Sequence, residues 1–151
     1  MSEPATRPGG LSRGLVAAQL LALALACVPF GPQRGGAAAL VLIALGTALA
    51  LATLGFNRIG NFSILPEPKA GARLVTAGPY RLVRHPMYLA LVIACFGLAA
   101  YNGHWLNGLG LGALALVLNL KAAREERLLA ERFPEYAAYA RRTARFVPGL
   151  W

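Results

Sequence analysis

Apolar residues gather in four long runs, and charged residues are confined to the stretches that flank them. The first run, Gly14 to Phe30, closes on Pro29, Gly31 and Pro32. The second, Ala37 to Phe56, is long enough to cross a bilayer core alone, which takes about 20 residues at 1.5 Å each. The third starts at Pro86 and reaches Tyr101, and the fourth runs from Trp105 to Leu120. Only Asn102, Gly103 and His104 separate these two shorter runs, which predicts a tight helical hairpin with Tyr101 and Trp105 as interfacial anchors. The expected fold is an all-α membrane protein, one integral domain over 1–151 with about four transmembrane helices (near 14–30, 37–56, 86–101 and 105–120). A cytoplasmic loop over 57–85 and a cytoplasmic tail over 121–151 complete it, the tail forming an amphipathic helix in which Phe133, Tyr136 and Tyr139 punctuate basic residues.

Charge orients that bundle. With four spans, the N-terminal tail, the second connection and the C-terminal tail share one side and hold 14 of the 15 Lys and Arg residues, all but Arg34. The six acidic residues lie there too. By the positive-inside rule this side is cytoplasmic, giving a multi-pass protein of the cell (inner) membrane with both termini in the cytoplasm. Charged residues make up only 14% of the chain, against about 25% in a soluble domain. The net charge of +9 therefore points to anionic lipid headgroups as partners, not to nucleic acid. Cys27 and Cys95 each sit inside an apolar run without Cys-x-x-Cys spacing, so neither a disulfide nor a zinc site is expected.

The segment Asn57 to Tyr88 is too long and too patterned to be only a connector. Pro66, Pro68, Gly71, Gly78 and Pro79 prevent a continuous helix. It ends in Gly78-Pro79-Tyr80-Arg81-Leu82-Val83-Arg84-His85-Pro86-Met87-Tyr88. Pro86 suits the first turn of the third helix, leaving His85 at the cap beside free N–H groups and the positive helix end. Such a corner suits a carboxylate or another anionic group. On residue type alone, Arg81 and Arg84 read more readily as headgroup contacts, and Tyr80 and Tyr88 as belt aromatics. The density of two tyrosines, a histidine and two arginines at one helix start favours a site. A second candidate is Lys121-Ala122-Ala123-Arg124-Glu125-Glu126, where Lys121 and Glu125 share a helix face. Glu125 and Glu126 point about 100° apart on a helix, so they do not grip one ligand group together. The plainer reading of this stretch is a solvated helix with local ion pairs.

Gly78-Pro79-Tyr80-x-x-x-Arg84-His85-Pro86-Met87-Tyr88, an apolar hairpin, Glu125-Glu126, Tyr136-x-x-Tyr139 and Phe146-Val147-Pro148 together resemble the isoprenylcysteine carboxyl methyltransferase family, which is grouped with the phospholipid methyltransferases. The resemblance runs from roughly Leu54 to Pro148. It implies S-adenosyl-L-methionine as methyl donor, no metal, and a cofactor site on the cytoplasmic side. Carried over by position, Tyr80, His85, Pro86, Met87 and Tyr88 line the cofactor pocket, with Leu74 and Val75 giving backbone or apolar contacts. Glu125 is the acidic residue expected to face the cofactor, or Glu126 if the alignment slips by one. Lys121, where relatives carry arginine, or Arg124 is expected on the substrate side. Ala90 stands where many relatives have glycine, and Ala72 where some have histidine.

The implied acceptor is lipophilic: an isoprenylcysteine-like carboxylate, a phospholipid amine, a thiol or a lipid phenol. No obligate protein partner is expected. The alternative is a non-enzymatic four-helix transporter or accessory subunit, but the predicted spans offer only Gln19, Thr47, Thr53 and little else as polar parts of a pathway. The first run also resembles, faintly, a lipoprotein signal ending at Cys27. Ala24 stands where such signals carry a larger aliphatic, and a second span follows at once, so an uncleaved chain is expected. Intact-mass analysis should find the residues before Cys27 retained, and their loss would overturn this.

Overall fold

The computed structural model of the chain describes residues 9–57, 61 and 63–149. Glu3, Arg7 and Arg58, part of the charge asymmetry above, lie outside these residues. Five helices follow one another: α1 (Gly10–Cys27), α2 (Ala37–Asn57), α3 (Pro86–Asn102), α4 (Trp105–Arg132) and α5 (Tyr136–Ala140), with a 3-10 turn at Gly78–Arg81. There is no strand among the described residues, only an isolated parallel bridge between Val83 and Ala144. Three helices, α1, α2 and α4, are long and apolar enough to cross a membrane. With 17 residues, α3 reaches about 25 Å, short of a hydrocarbon core of about 30 Å.

Helix ends follow local chemistry. α1 stops at Cys27, three residues before the end of its apolar run, because Pro29 pushes Val28 into extended geometry (φ −68°, ψ 129°). α3 starts with Pro86 at its first turn and His85 as cap, and ends on Gly103 at φ 67°, a left-handed cap that glycine adopts at no steric cost. α4 continues past the apolar run at Leu120 without a break to Arg132, so the Lys121–Glu126 stretch lies on the same helix. Lys, Arg, Ala, Glu and Leu are strong helix formers, so nothing stops the helix until Phe133, held extended before Pro134. The expected amphipathic tail helix shrinks to the five residues of α5, whose Tyr136 and Tyr139 turn inward (4% and 5% exposed) instead of lying on a membrane surface.

The helices pack as two close pairs, α1 against α4 and α2 against α3. Each pair closes on glycine. A Cβ at Gly46 of α2 would lie 2.5 Å from the backbone N of Ala94, and one at Gly97 of α3 would lie 2.8 Å from the carbonyl of Ala39. A Cβ at Gly110 of α4 would lie 2.4 Å from the backbone N of Ala26. Backbones this close gain dispersion contacts without needing large side chains, as membrane helices commonly do. Between the pairs, Ala22, Ala26, Cys95, Leu114 and Leu118 form a small core. The Sγ atoms of Cys27 and Cys95 come within 3.8 Å there, both as free thiols.

Both short connections lie at one end. Asn107 Nδ2 reaches the carbonyls of Leu25, Ala26 and Val28 at 3.0, 3.1 and 2.9 Å, serving orphan acceptors at the end of α1. Asn102 Nδ2 donates to Cys27 O at 3.1 Å, and Arg34 N donates to Tyr101 O at 3.0 Å. The long loop and the C-terminal segment therefore meet at the opposite end. Gly110→Leu should lower the thermal midpoint in detergent by overpacking α1 against α4, at a cost of about 1–3 kcal/mol. Gly108→Leu, where a Cβ meets nothing within 4 Å, should leave it unchanged.

Candidate active site

His85 caps the start of α3, and a half-buried carboxylate on α4, Glu126, builds a corner around it. Glu126 Oε1 accepts from Arg84 Nε at 2.9 Å, and Glu126 Oε2 from Arg145 Nη2 at 2.6 Å. His85 Nε2 lies 3.2 Å from Glu126 Oε1. A carboxylate bound to two guanidinium groups only accepts, so this ring nitrogen carries the proton. The C-terminal segment is clipped on through backbone: Arg84 N donates to Ala144 O at 2.8 Å and His85 N to Arg145 O at 3.2 Å. Arg84 Nη1 also donates to Ala140 O at 2.8 Å and to Thr143 O. Phe146 closes over His85, their ring centroids 5.7 Å apart.

One helical step away, Glu125 faces a different space. Its Oε2 accepts from Tyr88 Oη at 3.0 Å and lies 3.7 Å from His85 Nδ1. The His85 and Tyr88 rings stack at 5.3 Å and 6°. His85 thus stands between the two carboxylates, one on each nitrogen. Glu125 lines an open cleft together with Leu74, Val75, Tyr80, His85, Pro86, Met87 and Tyr88. Of the residues singled out from sequence, these eight come together on one cleft. Glu126, Lys121 and Arg124 do not line it: Glu126 lies behind His85, and the other two face α1 and the loop.

Lys121 is buried at 1% exposure. Its ammonium donates to Gln19 Oε1 of α1 and to Ile64 O of the loop at 2.8 Å, and sits 5.4 Å over the Tyr88 ring. Arg124 Nε donates to Ser12 Oγ at 2.9 Å, and its Nη2 pairs with Glu67 Oε1 at 3.2 Å. Ser12 Oγ also donates to Glu67 Oε1. Glu67 was not foreseen as a site residue, yet it lines the cleft. Burial alone would raise its carboxyl pKa, but the hydrogen bonds from Ser12 and Arg124 outweigh that and hold it below the usual carboxylate range. The only signal in the sequence was that Glu67 is the sole acidic residue between Asn57 and His85.

Tyr136 and Tyr139 also line the cleft. Burial pushes the Tyr139 phenol up to about 12, and its Oη donates to Tyr80 O at 2.8 Å. Burial, followed by the nearby Glu125 charge, raises Tyr80 as well. These phenols are neutral donors at physiological pH. Two polar atoms on the cleft residues are buried with no partner among the described residues, Glu67 Oε2 and Tyr136 Oη.

A sequence profile described as phospholipid methyltransferase matches residues 36–136. The chain is 36% identical over 160 residues to the cobalt-zinc-cadmium resistance protein CzcN of Cupriavidus metallidurans, covering 96% of this chain and 72% of that protein. It is also 38% identical over 84 residues to the nickel-cobalt-cadmium resistance protein NccN of Alcaligenes xylosoxydans xylosoxydans, covering 54% of this chain and 39% of that relative.

Removing Glu126 strands two guanidinium groups in a mostly buried setting. Glu126→Ala should cost about 3 kcal/mol of stability, read as a lowered thermal midpoint in detergent. The exposed Glu131→Ala should leave the midpoint within error.

Proposed function

Because the chain belongs to the phospholipid methyltransferase family, we propose that it is a membrane methyltransferase using S-adenosyl-L-methionine to methylate a lipophilic acceptor. The observation that carries this reading is the placement of Glu125, a carboxylate aimed at an open cleft and held there by Tyr88. The residues fit the cofactor. Glu125 offers a charge-assisted partner to its ammonium, and the start of α3 offers N–H groups and a positive helix end to its carboxylate. The faces of Tyr80 and Tyr88 suit a sulfonium cation. The unpartnered oxygens of Glu67 and Tyr136 leave polar capacity for a ligand. When bound, the cofactor supplies an activated methyl group on sulfur.

The chain's own task is then alignment and exclusion of water. Glu126 fixes His85, Tyr88 stacks on His85 and fixes Glu125, and α5 with Phe146 covers the corner. Lys121 and Arg124 act on the substrate side as positioning residues. Lys121 holds the Ile64 carbonyl and Arg124 holds Glu67, so together they set the loop wall against which the acceptor lies. In this reading α3 is a fourth span, the cleft opens to the cytoplasm, and an isoprenylcysteine-like carboxylate, phospholipid amine, thiol or lipid phenol enters from the bilayer.

The relatives are named as metal resistance proteins, and a second reading is the non-enzymatic membrane component, here serving metal resistance. Calorimetry on the detergent-purified protein separates the two. Under the methyltransferase reading the wild type binds S-adenosyl-L-methionine, Glu125→Gln weakens it at least about tenfold, and membranes given labelled cofactor yield labelled lipid. Absence of binding by the wild type would leave the second reading standing.

A further inference from the structure

Glu67 stands between two prolines in the loop joining α2 and α3, and its geometry is unlike that of the other acidic residues. Its side chain is 93% buried, since only 7% is exposed. Oε1 is saturated by Ser12 Oγ and Arg124 Nη2, whereas Oε2 is buried and has no partner among the described residues. A buried acceptor left unpaired costs about 1–3 kcal/mol, and more when it carries charge. Arg124 reaches Oε1 and Ser12 Oγ but makes no hydrogen bond to Oε2. The free oxygen belongs to a residue that lines the cleft. It is a fixed, anionic acceptor with no donor among the described residues.

The chemistry of that donor can be narrowed. A carboxylate only accepts, whereas the other unpartnered group, the Tyr136 phenol, both donates and accepts and so discriminates less. Given the cofactor reading above, on which this inference rests, the donors on offer are an ammonium, an adenine amine and a pair of ribose hydroxyls. Glu125 already meets the ammonium beside the α3 corner. A second carboxylate at the same group would place two negative charges near the cofactor's own carboxylate. Hydroxyl groups bring donors without that conflict, and acidic side chains bind ribose hydroxyls on other nucleotide-binding folds. We propose that Glu67 is the ribose-hydroxyl receptor of the cleft, held in place from α1 by Ser12 and from α4 by Arg124.

Calorimetry with S-adenosyl-L-methionine, adenosine and 2′,3′-dideoxyadenosine tests this. The wild type should prefer adenosine over the dideoxy compound by at least about tenfold. In Glu67→Gln, which keeps an oxygen for Ser12 and Arg124, the preference should fall below about threefold. In Glu67→Leu it should vanish. Glu125→Gln should weaken S-adenosyl-L-methionine yet keep the full adenosine preference, which a general loosening of the fold would not do. A wild type that binds S-adenosyl-L-methionine but shows no preference overturns the inference alone, as does a preference that survives in both Glu67 variants. A wild type that binds none of the three overturns the cofactor reading with it.

Discussion

The site end of this molecule depends on Glu126, whose carboxylate gathers Arg84, His85 and Arg145 from segments far apart in the chain. Removing a carboxylate from water is costly unless every lone pair finds a donor. Here two guanidinium groups and an imidazole N–H supply those donors. The loop before α3 and the segment after α5 are drawn onto one helix, and the Val83–Ala144 bridge forms where they meet. Glu126 meets both arginines, and Glu125, 3.7 Å from His85 Nδ1, brings a second carboxylate to the same corner.

That anchor works because α4 does not stop at the membrane. Its 28 residues carry it past the apolar run as one rigid element. Successive side chains then point about 100° apart, so Lys121, Arg124, Glu125 and Glu126 meet different partners. Lys121 and Arg124 turn to α1 and the loop, Glu125 turns to the cleft, and Glu126 turns to Arg84 and Arg145. Adjacent carboxylates thereby take separate tasks, one a fastening and one a face of the cleft.

The first helix takes part in the site although it lies before the residues matched by the family profile. Ser12 and Gln19 are buried on α1, and each meets a cation of α4. These bonds run from α1 through Arg124 and Lys121 to Glu67 and Ile64, so the loop wall of the cleft is held from two helices. Small residues do the complementary work inside the bilayer region, where Gly46, Gly97 and Gly110 let backbones touch.

The sequence by itself determined the membrane character, the apolar helices and the helix start at His85 and Pro86, which follow from local rules: apolar length and proline and glycine punctuation. The family resemblance added Leu74, Val75, Tyr80, Met87 and Tyr88, which the cleft gathers with His85 and Pro86. It also determined that Glu125 and Glu126 diverge, because helical rotation is fixed. Only the tertiary structure decided which of them meets the cleft, since that depends on the rotation of α4 against α3. Tertiary contacts likewise turned Tyr136 and Tyr139 inward, where Tyr139 donates to the Tyr80 carbonyl and the two rings pack edge to face. The pairing of Ser12 with Glu67 joins residues 55 positions apart, and no periodicity or spacing carries a bond of that range. Long-range polar contacts answer to burial and charge together, and those exist only once the helices are packed.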